Sequence, residues 1–258
     1  MTVYPTPKIN VGLNIVSKRP DGFHNIETLF YPYTGVSDIL SIEPSETFSI
    51  EIENCNWDPQ KDLCAKAWRL MRERYGIGPV NIRLTKRIPV GAGMGGGSAD
   101  AAATVKVLSE IFALGLPDAE MVSICAVLGS DCPFFIYNRP CLACGRGEVL
   151  TGIDIDLSAY AIRVEFPCGE TVSTAEAYGG LTPRPLGEPL GKCSEAFVKA
   201  LERPVSEWQG LIVNDFEESV FRAHPAIEEA KKRLLREGAL YASMTGSGAA
   251  VYGIFSSR

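Results

Sequence analysis

One short run of the sequence has the residues to hold phosphate: Pro89-Val90-Gly91-Ala92-Gly93-Met94-Gly95-Gly96-Gly97-Ser98-Ala99. Five glycines within seven positions do not make a packed helix or strand, because glycine interiors cost conformational entropy in both. Such a run can instead bring several backbone N–H groups up to one ligand with no β-carbon in the way. Just downstream, Val105, Leu108, Ile111 and Phe112 recur at helical spacing, which predicts a helix from Ser98 to about Phe112. Ser98 or a neighbour is expected to cap it, and the glycines lead into the positive end of its dipole, where anions bind. A flexible hinge is the bland alternative. It has no reason to lie between a good strand and so regular a helix.

Two better-known phosphate motifs fit poorly. Gly91, Gly93 and Gly96 satisfy G-x-G-x-x-G, but the acid at the right distance, Glu110, falls inside the helix rather than at the end of a next strand. No Gly-Lys-Ser/Thr follows, so the Walker pattern fails. Cys141-Leu142-Ala143-Cys144 is a C-x-x-C, yet there is no second pair and only two histidines, so adjacent thiols on a strand are the expectation. Gly129-Ser130-Asp131-Cys132-Pro133 is a sharp corner that could hold a carboxylate rigidly.

The elements around these residues follow from periodicity. Residues 3–16 alternate as a strand with Ile9, Val11, Leu13 and Ile15 on one face; Lys8, Asn10 and Asn14 make the other face unexpectedly polar. Asp21-Gly22 turns the chain into a return strand near His24–Tyr33, and 37–53 reads as two more strands. An amphipathic helix runs from Asp62 to about Tyr75, and Val80–Leu84 is a strand entering the glycine stretch. A shorter helix ends near Leu128, and 134–150 reads as short strands with glycine turns. Tyr160–Phe166 is a strand, Thr174 opens a capped helix, and 182–191 is a Pro/Gly-rich loop. Helices are predicted at 192–202, 215–223 and 225–237, followed by a strand, a glycine loop and a strand through Phe255. A β-rich first half and a helical second half indicate an α+β fold with a boundary near 150–158.

At 258 residues and 46% hydrophobic the chain can bury a sizeable core. A net charge of −6 argues against nucleic acid or an anionic membrane as the main partner. The N-terminus lacks the charged and apolar regions of a leader, so none is expected, and no apolar run reaches bilayer-spanning length. The eight cysteines are scattered, which fits a reduced, cytoplasmic setting.

The glycine stretch resembles the Pro-x-x-x-Gly-Leu-Gly-Ser-Ser-Ala loop of the GHMP kinases, with Met94 at the Leu position and Gly97-Ser98-Ala99 at the small-residue positions. Further motifs agree in order and spacing: Pro7-Lys8-Ile9-Asn10, Arg19-Pro20-Asp21-Gly22-Phe23-His24, Gly129 to Phe135, Ser173 to Tyr178, Asn214-Asp215-Phe216-Glu217 and Thr245-Gly246-Ser247-Gly248. Together they resemble the 4-diphosphocytidyl-2-C-methyl-D-erythritol kinases within that superfamily. The resemblance implies two lobes, 1–155 like ribosomal protein S5 and carrying the ATP loop, and 156–258 ferredoxin-like and contributing to the substrate site. It implies ATP-dependent phosphorylation of the 2-hydroxyl of a cytidine diphosphate-linked methylerythritol by direct in-line transfer, in the non-mevalonate isoprenoid pathway.

Residue by residue, the resemblance makes Asp131 the base and Lys8 a charge stabiliser that would also keep a nearby Asp131 ionised. Pro89, Gly91, Gly93, Met94, Gly95, Gly96, Gly97, Ser98 and Ala99 would line the ATP phosphates. Ser98 would approach Mg²⁺ or the β-phosphate, and Mg²⁺ itself would be held mostly by phosphate oxygens and water, with no protein ligand named. His24 would bond the cytosine edge, with Phe23 (Tyr in many relatives) and Tyr178 stacking on it. Asn10, Thr245, Gly246 and Asp131 would meet the rest of the substrate. A monomer or weak homodimer is implied. Asp62 stands where relatives carry Asn near the adenine, with Lys86 close to the nucleotide, and relatives continue through another helix, so the last strand is expected to be less covered. Three alternatives stay open: another small-molecule GHMP kinase, an inactive nucleotide-binding relative, and an NAD-dependent oxidoreductase.

Overall fold

Two prolines decide where the first long strand begins. Pro5 and Pro7 cannot donate to a β ladder, so residues 3–16 are not one strand but two pieces in different sheets: β1 (Thr2–Val3) and β2 (Lys8–Lys18). The computed structural model describes residues 1–54, 56–182 and 184–257; Cys55, residue 183 of the predicted surface loop and Arg258 lie outside them. After β2 come β3 (His24–Pro32), β4 (Ile39–Pro44), β5 (Ser49–Glu53), α1 (Leu63–Tyr75), β6 (Val80–Thr85), α2 (Gly96–Ile111), α3 (Asp118–Leu128) and α4 (Phe134–Tyr137). Then follow β7 (Cys141–Gly145), β8 (Val149–Gly152), β9 (Tyr160–Glu165), α5 (Thr174–Gly179), α6 (Glu195–Leu201), α7 (Glu217–Ala223), α8 (Pro225–Arg236), β10 (Tyr241–Met244) and β11 (Val251–Ser256). The fold is α+β.

Compactness divides the chain into two discontinuous units. One comprises Met1–Pro7, Val36–Val90 and Gly95–Arg139; the other comprises Lys8–Gly35, Gly91–Met94 and Pro140–Arg258. The boundary at 155/156 separates the chain by motif, whereas compactness follows strand pairing, which joins β2 and β3 to β7 and β8.

In the first unit the sheet order is β1-β4-β6-β5, with β5 and β6 parallel and joined through α1. Ile42, Ile82 and Ile50 lie side by side across three strands and are all buried, each worth about 1.5–3 kcal/mol relative to exposure. Asp62 caps α1 by accepting from the Cys64 N–H at 2.8 Å, and Gly76 ends it in the left-handed region at φ 65°. Residues 134–137 form a helical turn rather than the predicted strand. Pro133 presets its φ at −56° for that turn, and Asn138 closes it at φ 46°.

In the second unit β2-β3-β7-β8 form one antiparallel sheet and β10-β11-β9 another. The apolar stripe of α8, Ile227, Ala230 and Leu234, is buried in one core with Phe216, Val220, Ala242, Met244 and Val251. Gly12 sits at a β-bulge with φ +67°, where a β-carbon would lie 2.7 Å from Ile212 Cγ2.

Candidate active site

The polar face of β2 is buried, not solvated. Lys8 and Asn10 are only 3% and 2% exposed. A buried ammonium needs acceptors, and Lys8 Nζ has them in Asn10 Oδ1 and, at 3.0 Å, the carbonyl oxygen of Gly93; it also lies 5.0 Å from the centre of the Phe30 ring. Asn10 is fixed in turn. Its side-chain amide donates to Thr28 Oγ1 at 3.0 Å, its backbone N–H to Thr245 Oγ1 at 3.0 Å, and its carbonyl accepts from Tyr252 Oη at 2.8 Å. Thr245 Oγ1 donates to the same Gly93 carbonyl at 3.2 Å. Lys8, Asn10, Gly93, Thr245 and Gly246 therefore converge, although they come from three distant parts of the chain.

Backbone geometry explains the glycines. Gly91 and Gly93 have φ +74° and +73°, a region that L side chains rarely adopt. At Gly93 there is also no space, since a β-carbon would meet the Thr245 oxygen at 2.1 Å. At Gly91 there is nothing within 4 Å, and conformation alone requires it. Ala249 and Ala250 donate to the carbonyls of Gly91 and Ala92, and Lys8 N–H donates to that of the buried Met94. Pro89 is exposed ahead of the run.

In the first unit the stretch continues as a helix start. Gly95, at φ 69°, is the N-cap, so Ser98 lies inside the first turn instead of capping it. The first ladder bond is Ala99 N–H to the Gly95 carbonyl at 2.9 Å. It leaves the N–H groups of Gly96, Gly97 and Ser98 outside the helical ladder, at the positive end of a 16-residue helix. Ala99 is buried beneath them. Asp131 occupies the corner between α3 and α4, half-buried, its carbonyl accepting from Phe134 N–H at 3.2 Å. Its neighbour Cys132 joins this corner to α2. Burial pushes the Cys132 thiol up to about 11, while a hydrogen bond with the Ser98 side chain pulls the other way. Sequence reasoning had not foreseen Cys132 as the link.

A second feature it missed fixes α2. Lys86 Nζ donates to Asp38 Oδ2 and, at 2.6 Å, to Asp100 Oδ2, all three side chains being buried. Asp38 Oδ1 also accepts the N–H groups of Arg87 and Ile88. Burial and the Asp38 charge raise the Asp100 carboxyl to about 7 despite the Lys86 ammonium. The Lys86 ammonium, expected close to the nucleotide, is committed to two carboxylates. Asp62 serves as the helix cap already described.

The aromatic candidates lie in the second unit. His24 stacks on Tyr178 with centroids 4.8 Å apart, and Tyr178 meets Phe216 edge-on at 4.9 Å. Burial and the nearby Lys18 charge lower the His24 pKa, so the imidazole is neutral at pH 7 with one donor and one acceptor. Phe23 is 53% exposed, its ring under the Arg146 guanidinium at 4.9 Å. These groups suit a flat heterocycle, and the glycine stretch and helix start suit phosphate.

Comparison with known proteins gives the family. Residues 62–139 match the GHMP kinases N terminal domain and residues 195–258 the GHMP kinases C terminal domain. A Cytophaga hutchinsonii protein named 4-diphosphocytidyl-2-C-methyl-D-erythritol kinase is 45% identical, covering 100% of this chain and 93% of that protein. A Parabacteroides distasonis protein of the same name is also 45% identical, with 99% and 92% covered. A crystal structure of 4-(cytidine 5'-diphospho)-2C-methyl-D-erythritol kinase superposes with a TM-score of 0.78 at 32% identity, over 98% of this chain and 90% of that one.

Proposed function

Because the chain belongs to the 4-diphosphocytidyl-2-C-methyl-D-erythritol kinase family of the GHMP kinases, we propose that it transfers the γ-phosphoryl group of ATP to the 2-hydroxyl of 4-diphosphocytidyl-2-C-methyl-D-erythritol. This is a step of the non-mevalonate route to isoprenoid precursors. The observation that carries the reading is the buried Lys8 ammonium held on the carbonyl of Gly93, within the glycine stretch. A cation is costly to bury, and a developing phosphoryl charge gives it a purpose.

In the scheme the acceptor oxygen attacks the γ-phosphorus in line. Its O–P bond forms as the bond to the β–γ bridging oxygen breaks, and ADP leaves with that electron pair. The hydroxyl proton goes to Asp131, at the corner between α3 and α4. Lys8 stabilises charge on the transferred group. Gly91, Gly93 and Gly95 to Ser98 bind the triphosphate through backbone N–H groups, with Pro89, Met94 and Ala99 shaping the stretch. Neutral His24 bonds the pyrimidine edge, Phe23 and Tyr178 stack on its faces, and Asn10, Thr245, Gly246 and Asp131 bind the remainder of the acceptor. Among the described residues no three His, Cys, Asp or Glu side chains cluster as a metal site. Mg²⁺, which favours phosphate oxygens and water, would be held mostly by those, and no step is routed through it. A cytoplasmic setting fits the seven free cysteines among the described residues, six of them buried; a monomer or weak homodimer is the oligomeric state assigned, and the net charge of −6 disfavours nucleic acid and anionic membranes.

ADP release with Mg-ATP tests this, using the cytidylyl acceptor with homoserine and phosphomevalonate as controls. Turnover is expected with the cytidylyl acceptor alone, falling about 10²- to 10⁴-fold in Asp131→Asn. Turnover only with a control acceptor would overturn the substrate, and an unaffected Asp131→Asn would overturn the base.

A further inference from the structure

Asn214, Asp215 and Glu217 all hold backbone groups, and Asn214 reaches the candidate phosphoryl-transfer residues through Thr245. Asn214 Nδ2 donates to the carbonyls of Met244 and Gly246 at 2.8 and 2.9 Å, while its Oδ1 accepts the Phe216 N–H at 3.0 Å. Asp215 Oδ2 accepts from Ile15 N–H on β2 and from Arg184. Glu217 Oε1 accepts from Met244 N–H and Ser243 Oγ, and its Oε2 from Lys231. Between the two carbonyls that Asn214 ties together stands Thr245, whose hydroxyl donates to the Gly93 carbonyl that also receives Lys8 Nζ.

We propose that Asn214 is a positioning residue for phosphoryl transfer: by bracketing the 244–246 loop it fixes Thr245, Thr245 fixes the Gly93 carbonyl, and that carbonyl aims the Lys8 ammonium. The proposal rests on the reading of Lys8 given above. Asn214 touches none of the proposed reacting groups, and its 3% exposure leaves it no role on the surface. A carboxamide suits the place because it offers two donors to two carbonyls and one acceptor to an N–H, which neither a carboxylate nor an aliphatic side chain does. The charged neighbours, Asp215 with Arg184 and Glu217 with Lys231, are paired with each other.

The substitution Asn214→Asp separates this role from merely forming the turn ahead of α7, in which Oδ1 accepts the Phe216 N–H. The introduced carboxyl keeps the acceptor for Phe216 N–H but loses the donors. When protonated it restores one donation; when ionised it faces two carbonyls. Positioning therefore expects kcat to fall about 10- to 100-fold at pH 8.5 with KM for ATP within about twofold, and to recover partly at pH 6. A turn-forming role alone expects no loss as pH rises, because an ionised carboxylate accepts the Phe216 N–H at least as well. Hydrogen exchange followed by mass spectrometry on the intact chain supplies a readout without turnover: the amides of Lys8, Ala249 and Ala250, which donate to the carbonyls of Met94, Gly91 and Ala92, should lose protection in Asn214→Asp. Unchanged protection at residues 8, 249 and 250, or a kcat ratio to wild type that is flat with pH, would overturn the proposal. If wild type does not phosphorylate the cytidylyl acceptor, the functional reading fails, and exchange at these three amides still decides whether Asn214 fixes the 91–94 stretch. If Asn214→Asp does not fold, Thr245→Val breaks the same relay one link on. It should reduce both kcat and protection at residues 8, 249 and 250; retention of both would count against the relay.

Discussion

Lys8 is a cation held where a cation is expensive. Lys8→Met keeps most of its length and removes its charge. Two stability effects then oppose each other: Asn10 Oδ1 and the Gly93 carbonyl lose a donor, costing about 1–3 kcal/mol, while the burial penalty of an ammonium disappears. They largely offset, so the melting temperature should move by less than about 5 °C while kcat falls at least about 100-fold. Thermal unfolding beside steady-state kinetics checks this. A collapse of folding with a proportionate loss of activity would mark Lys8 as a structural residue. Sequence reading flagged Lys8 and Asn10 because polar residues broke the alternation of a strand. It could not supply their partners. The Asn10–Thr245 bond joins residues 235 apart, and no periodic pattern records such a pair.

Elements are set by ties that periodicity does not show. The glycine stretch and the helix after it were legible, since glycine spacing and an apolar stripe are local signals. The tie of Asp38, Lys86 and Asp100, which seats α2 beside the strand before the stretch, was not; each residue alone looks like an ordinary surface charge. Two carboxylates share one buried ammonium, and burial raises Asp100 to about 7 from 3.8. Between those values the folded protein holds a proton that the unfolded chain has released. Stability therefore falls as pH rises across that window, by at most about 1.4 kcal/mol per pH unit. Lys86 is itself raised: burial opposes its charge, but Asp100 and Asp38 outweigh burial, so its contribution is lost only above 10.5, outside the window. Urea midpoints at pH 5 and pH 7.5 should differ in wild type and converge in Asp100→Asn. Equal midpoints in wild type would refute the shift. The misreading of 134–137 has a local cause: four apolar residues fit a short strand and a helical turn alike, and only Pro133 hinted at the turn.

For the molecule as a whole, motif order and compactness are different partitions. The α+β class was legible from element order, because that is a property of sequence. The grouping of β2 and β3 with β7 and β8 was not, since pairing over such distances depends on the finished sheets. A cut after residue 155 would leave 156–258 without the whole β2-β3-β7-β8 sheet of the second unit. Leu13, Ile15 and Ile26 would be missing from the core that contains Phe216 and Leu234. Fragment 156–258 expressed alone should lack a cooperative thermal transition and dispersed amide resonances. A well-dispersed spectrum would show that β9, β10, β11 and their helices suffice.

Gly93 and Gly246 have a further consequence, for how such a sequence can drift. A β-carbon on Gly246 would lie 2.6 Å from the Gly93 oxygen, and one on Gly93 would lie 2.1 Å from the Thr245 oxygen. In each case the obstacle is main chain, so no change of neighbouring side chain makes room, and altering both positions adds a second collision. The pair acts as a historical ratchet: once two stretches of backbone have closed on each other, descendants inherit the arrangement whole. Under the proposed function, novelty in acceptor choice has to accumulate elsewhere, as at Phe23, His24 and Tyr178, which are exposed or half-buried and outside that main-chain constraint.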